Sequence, residues 1–232
     1  MTAFAIDAPQ HAALWESVAA ALRRAIVCGE LPAGVHLEEP ALAQKFDVSR
    51  VPIREAIARL ERDGLVRIEP RRGAFVVGFA EQEAADVCEC RRLIERRAVR
   101  RAARRVHGSG LDRLRAVVEE MDAAVRRDGP ELAASDLEFH RQIVCLAKNR
   151  FLLSAWEPIA GLVATMLEAT HATDDDRPGA VVSHRAILEA LARADGAAAE
   201  RLLDDHLRKG ERAMRGALRR LARRGLVRAT GG

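Results

Sequence analysis

Two groups of side chains in this 232-residue sequence have the types and spacing to do chemistry. The first is Asp136-Leu137-Glu138-Phe139-His140. Asp136 and His140 stand four residues apart, on one face of a helical pattern whose apolar positions include Leu132, Phe139, Ile143 and Val144. A carboxylate and an imidazole one helical turn apart can bind the same cation. His184 falls near the start of a later helical stretch, and His206, 22 residues on, falls within the next. If three helices bring these four groups together, the donor set suits a first-row divalent ion, Zn²⁺ first, with Ni²⁺ or Mn²⁺ as alternatives. Coordination positions left open would take water or a small acid. A metal-dependent hydrolase is the alternative use of such a site. The one further carboxylate nearby, Glu138, points away from the Asp136–His140 face, so that reading lacks a base.

The second group opens a helix: Ser49-Arg50-Val51-Pro52-Ile53-Arg54-Glu55. Arg50 and Arg54 are four apart and share a face, while Ile53, Ile57 and Leu60 form the inward stripe. Cations at a helix N-terminus oppose the helix dipole, so an external anion is expected there, and duplex DNA is the economical candidate. An arginine fork can pair with guanine O6 and N7. Ser49 is the expected N-cap and, with the backbone amides of the turn, a phosphate contact. Upstream, Pro40 suits the first turn of a helix running to about Phe46, and Asp47-Val48 makes the turn. Downstream, Leu65–Glu69 and Ala74–Val77 are β-rich runs around Pro70-Arg71-Arg72-Gly73. That is a hairpin with a basic tip, where Gly73 allows close approach. Helix, turn, arginine-headed helix and basic wing, in that order, predict a winged helix-turn-helix over residues 11–78.

The rest of the chain must position the first group. Leu14, Val18, Leu22 and Ile26 predict a helix ended by Gly29, and residues 79–82 read as a linker. Beyond it strand signals vanish. Helices are predicted near 81–106, 110–127, 130–147, 151–172, 178–194 and 196–225, with breaks at His107–Gly110, Asp128–Pro130, Lys148–Arg150, Thr173–Gly179 and Asp195-Gly196. The fold class is therefore mostly α, with a small β-hairpin wing and a C-terminal antiparallel all-α bundle over 83–225.

Composition limits the function classes. The net charge is +4, yet residues 1–78 hold ten Lys/Arg and ten Asp/Glu, so a case for DNA rests on where the arginines lie. The remainder holds 28 basic and 24 acidic residues, with a basic end beyond Leu207 that is expected to be a solvated helical tail. Cys28, Cys88, Cys90 and Cys145 show neither a CxxC pair nor a disulfide framework and read as reduced thiols. The sequence shows no leader pattern and no apolar run approaching the roughly 18 residues of a membrane span, so a cytoplasmic protein without a membrane partner is expected.

Over Leu31–Val77 the sequence resembles the N-terminal domain of the GntR family of bacterial transcriptional regulators. Leu42-Ala43, Val48–Ala56, Leu60-Glu61-Arg62-Asp63-Gly64-Leu65-Val66 and Gly73 carry the likeness. The resemblance implies that Arg50 and Arg54 contact an operator. Pro40 departs from it, standing where some members place a basic residue. Residues 83–210 resemble the all-helical ligand-binding domain of the FadR subfamily, through Asp136-x-x-Phe139-His140, His184-Arg185-x-Ile187-Leu188 and His206-Leu207. The resemblance implies that Asp136, His140, His184 and His206 bind a metal. It further implies that Arg91, in Arg91-Arg92-Leu93-Ile94-Glu95, holds an effector carboxylate, with Arg92 as the fallback, and that Asn149 lines the cavity. Ser183 departs, standing where Glu often precedes the histidine. The implied whole is a homodimeric repressor on a palindromic double-stranded operator, released by a small organic acid. A regulator that senses the metal itself is the alternative within the family.

Overall fold

The computed structural model describes residues 11–129, 131–171 and 177–223. It divides into two compact units at Phe79–Ala80.

The first unit is built on α1 (His11–Val27), α2 (Glu39–Phe46) and α3 (Arg50–Arg62). The four-residue spacing of Val18, Leu22 and Ile26 puts them on one buried face of α1, which packs on α3 through Ile53, Ala56, Ile57 and Leu60. Burying one such side chain is worth about 1.5–3 kcal/mol, so this stripe fixes the angle of α3. Arg23 locks the same pair by a 2.7 Å bond from Nη2 to Asp63, the residue that caps the end of α3. Between α2 and α3, Asp47 adopts φ 51, and its N–H closes on Ala43 and Gln44 carbonyls. A short polar side chain tolerates that left-handed turn.

Strands β1 (His36–Leu37), β2 (Val66–Glu69) and β3 (Gly73–Val76) form an antiparallel sheet in the order β1-β3-β2. Leu37 pairs with Ala74 and Val66 with Val76. The sequence predicts only the β2–β3 hairpin, because two residues are too few to show a period. Gly73 has φ +101, and a Cβ there would lie 2.4 Å from His36 Nε2. Gly73→Ala is expected to destabilise this unit by about 1–3 kcal/mol, from backbone strain and the displaced imidazole. Chemical denaturation checks this; a change within experimental error would mean that the hairpin relaxes freely.

The second unit contains six helices among the described residues: α4 (Glu81–Ala102), α5 (Ser109–Arg127), α6 (Leu132–Leu146), α7 (Arg150–His171), α8 (Arg177–Ala192) and α9 (Gly196–Arg223). Helix α4 packs on α6, α7 and α9, and α8 packs on α5 and α9. Phe139, Ile143, Trp156, Leu114, Met121 and Ile187 are fully buried between them. Helix α4 stops at Ala102, four residues short of expectation. The break expected at Thr173–Gly179 lies partly outside the described residues, as do Pro130 and the last two positions of the predicted final helix. Pro178 and Gly179 belong to the first turn of α8, where proline costs little. Contrary to the sequence reading, α7 is long and apolar enough to pass a membrane-span test by composition. Its hydropathy serves the core: Trp156, Leu162, Val163, Met166 and Leu167 are buried, and Glu157 pairs with Arg141 of α6.

Candidate metal centre and nucleic-acid interface

Asp136 and His140, one turn apart on α6, meet His184 of α8 and His206 of α9. One donor atom from each lies within 4.8 Å of all the others. Hydrogen bonds on the far side of each ring fix which nitrogen faces the cluster. His140 Nδ1 lies 2.6 Å from the Glu95 carboxylate, so it must donate. His184 Nδ1 donates to the Ala180 carbonyl at 2.7 Å. Ser183 Oγ donates to that same carbonyl at 2.7 Å and lies 2.9 Å from His206 Nδ1, which therefore donates to it. With every Nδ1 carrying a proton, the three rings turn their Nε2 atoms on one another. His140 Nε2 is 3.2 Å from that of His206 and 3.3 Å from that of His184. Lone pairs this close repel unless a cation lies between them. Asp136 Oδ1, buried and without a hydrogen bond, completes the donors. This set fits a divalent first-row ion.

The electrostatics favour the metal-competent state. Burial, offset in part by Asp136, pushes His184 down to about 4. Burial and the neighbouring His184 and His140 push His206 well below its usual value. Both rings are therefore neutral near pH 7, and protons do not compete for Nε2. Burial would raise Asp136, but His184, His171 and His140 outweigh it and hold the carboxyl well below the usual range.

A partly open cavity of about 130 Å³ adjoins the cluster, lined by Arg91, Asp136, His171, Ser183 and His206 among others. Arg91 of α4 is buried, with Nε on Glu95 at 2.8 Å and Nη2 4.0 Å from Asp136 Oδ1. That Nη2 has no hydrogen-bond partner. Arg92 instead turns to Asp204 and Glu211 of α9, away from this cavity. Asn149 is not among the residues that line this cavity, and its Oδ1 accepts the Phe151 N–H at 3.1 Å, capping α7.

Three contributors were not singled out from sequence. His171 ends α7 with Nε2 3.5 Å from Asp136 Oδ2. Ser183, read as a minor departure, orients His206. Glu95 accepts from His140, Arg91 and, at 2.9 Å, the Trp156 indole. Burial opposes its ionisation, but Arg91 and His140 hold it at about 2. A carboxylate behind a ligating histidine fixes the tautomer and raises the basicity of the ring. Glu95→Gln is expected to lower metal affinity roughly 10–100-fold, measured by competition with a chromophoric chelator. Unchanged affinity would reduce Glu95 to a packing role.

On the first unit, Arg50 and Arg54 lie exposed on one face at the start of α3. Arg54 Nε bonds Glu39 Oε2 of α2 at 2.7 Å while 65% of the side chain stays accessible. Ser49 occupies the N-cap position but makes no side-chain cap bond, leaving its hydroxyl for an outside partner. At the wing tip Arg71 and Arg72 are exposed beside Gly73. Arg72 pairs with Glu69 and stacks 5.6 Å over Phe75, whose ring also packs on His36.

Comparison with known proteins covers both units. Residues 14–76 match the family model described as bacterial regulatory proteins, gntR family, and residues 86–209 match the FCD domain. The gluconate operon transcriptional repressor of Bacillus licheniformis is 30% identical over 65% of this chain, which spans 62% of that protein. The HTH-type transcriptional repressor RspR of Escherichia coli (strain K12) is 30% identical over 81% of this chain and 83% of its own length. The solved structure of E. coli McbR/YncC shares the fold, with a TM-score of 0.71 at 19% identity, covering 87% of this chain and 96% of that one.

Proposed function

Since the chain belongs to the GntR family of bacterial transcriptional regulators and carries an FCD domain, we propose that it is a repressor whose operator affinity is set by a small organic acid bound at a metal centre. The family and its relatives are transcriptional regulators rather than enzymes. The Asp/His cluster therefore serves sensing and not turnover. One observation carries the reading: three Nε2 lone pairs and Asp136 converge beside a buried arginine with an unused N–H, on the wall of a cavity.

Asp136, His140, His184 and His206 would hold the ion, Zn²⁺ first and Ni²⁺ or Mn²⁺ as alternatives. When bound, it supplies a positive charge and open positions for a carboxylate oxygen. Arg91 presents Nη2 to the same carboxylate, while Glu95 keeps that guanidinium oriented. Glu95, Ser183 and the Ala180 carbonyl hold the rings with Nε2 forward. Arg50 and Arg54 read bases, and Ser49, Arg71, Arg72 and the close-approaching Gly73 backbone meet the sugar-phosphate frame or an adjacent groove. A homodimer places two such heads on a palindromic site. The acid acts by binding two arrangements of the protein unequally, which is the only way it can change DNA affinity. The setting is the cytoplasm, where the operator lies.

A thermal-shift panel of small mono- and dicarboxylic acids on zinc-loaded full-length protein tests the sensing half. At least one acid should stabilise the protein. Arg91→Ala and Arg91→Lys should lose about 1.5–3 kcal/mol of that acid's binding while retaining metal. A response to zinc alone, with no acid acting, would replace this reading by a metal sensor.

A further inference from the structure

The helical unit has a second concavity, of about 240 Å³, lined by residues of the α4–α5 turn, the start of α5 and the end of α6. No acidic side chain lines it, and Arg105, Arg113 and Lys148 stand around it. These three cations meet no carboxylate among the described residues. Elsewhere in this unit, Arg92, Arg96 and Arg100 of α4 each pair with a carboxylate of α9. Asp112, the acid in the first turn of α5, is taken by Arg115 at 2.9 Å. Glu138, the acid next to the concavity's buried Gln142, is bonded to that amide.

The backbone adds to the charge. Helix α5 is 19 residues long, and its N-cap residue, Gly108, has φ 51 and offers no side-chain cap. Of the first N–H groups of α5, those of Gly110, Leu111 and Asp112 bond the His107 and Gly108 carbonyls, while that of the lining residue Ser109 takes no backbone acceptor among the described residues. Gly110 lets this end approach α6 closely, since a Cβ there would lie 2.9 Å from Leu146. Lys148 adopts φ 48, a left-handed position that glycine or asparagine would fill with less strain. That strained position carries a cation instead. A helix N-terminus without a side-chain cap, beside cations, favours an anion.

We propose that this concavity binds a phosphate group, independently of the metal centre. A single carboxylate would leave two of the three cations unmatched. A tetrahedral dianion offers enough charge and enough acceptor oxygens for the three side chains and the Ser109 N–H together. Inorganic phosphate and the phosphomonoester of a small metabolite share that chemistry.

The test titrates inorganic phosphate, and separately glycerol phosphate, into metal-stripped full-length protein at constant ionic strength. Calorimetry or thermal shift gives the readout. Saturable binding is expected, at least tenfold weaker in the Arg113→Gln/Lys148→Asn double variant, in which Asn keeps the left-handed turn. Tighter binding of the ester would identify a small organic phosphate as the occupant, and equal or weaker binding would identify inorganic phosphate. No saturable response, or one unchanged in the double variant, overturns the proposal. So does a double variant whose only defect is a shallower salt dependence of operator binding, since that would assign the cations to the DNA backbone. None of these outcomes bears on whether the Asp/His cluster holds metal.

Discussion

Purified His140→Ala protein is expected to carry almost no metal, where the wild type carries about one ion per chain. His140 sits at the centre of the donor cluster, the one ring in hydrogen-bonding range of both other imidazoles. It is also the ring that a buried carboxylate presses forward. Losing a supporting partner costs roughly 10–100-fold in affinity, and losing the ligand itself should cost more. The consequences reach stability. Metal that binds only the folded chain contributes about 4 kcal/mol when present at 1,000 times its Kd. Chelation should therefore lower the melting temperature of the wild type and leave that of His140→Ala unchanged. Elemental analysis beside circular dichroism separates loss of metal from loss of fold. Full stoichiometric metal in His140→Ala, and again in His206→Ala, would remove the site.

The second large effect belongs to the other unit. Arg54→Ala should weaken operator binding by about 1–3 kcal/mol, roughly 5- to 150-fold, and relax the preference at one base position. The physical basis is that Ile53 and Ile57 point inward and fix the roll of α3, which turns Arg50 and Arg54 outward. Glu39 then restrains the Arg54 guanidinium at 2.7 Å, reducing the rotamer freedom lost on docking. Arg71→Ala at the wing tip should behave differently. It should weaken all sequences alike and reduce the salt slope by about 1, as a phosphate contact does. Fluorescence anisotropy at several salt concentrations distinguishes the two. Operator affinity unchanged in Arg54→Ala at fixed salt would contradict the assignment of α3.

The reading head was legible because its signals are local. Periodic apolar residues, a turn and two arginines at the front of a helix all fall within one short stretch. Asp136 and His140 were legible for the same reason, as a pair one turn apart. His184 and His206 carry no local mark and were found through their place in a family-like order. What sequence missed depends on packing between helices. The neighbours of His171 come from α6, and nothing around the end of α7 announces them. Glu95 was visible as the partner of Arg91, but its bonds to His140 and Trp156 join three different helices. Ser183 was visible only as a departure, and its task emerges when α8 meets α9. An asparagine just before a helix fits both a cavity wall and a cap, and the side chain of Asn149 makes the local cap bond. β1 escaped because its two residues pair with a strand far along the chain.

The account rests on coupling between a metal-held acid and DNA. The most direct measurement is the operator affinity of zinc-loaded full-length protein at fixed salt, with and without each acid of a small-carboxylate panel. One acid at least should shift the Kd by about 5- to 150-fold, the range of typical coupling energies, and chelation or Arg91→Ala should abolish that shift. An operator affinity indifferent to every acid, or a shift that survives removal of the metal, would contradict the account.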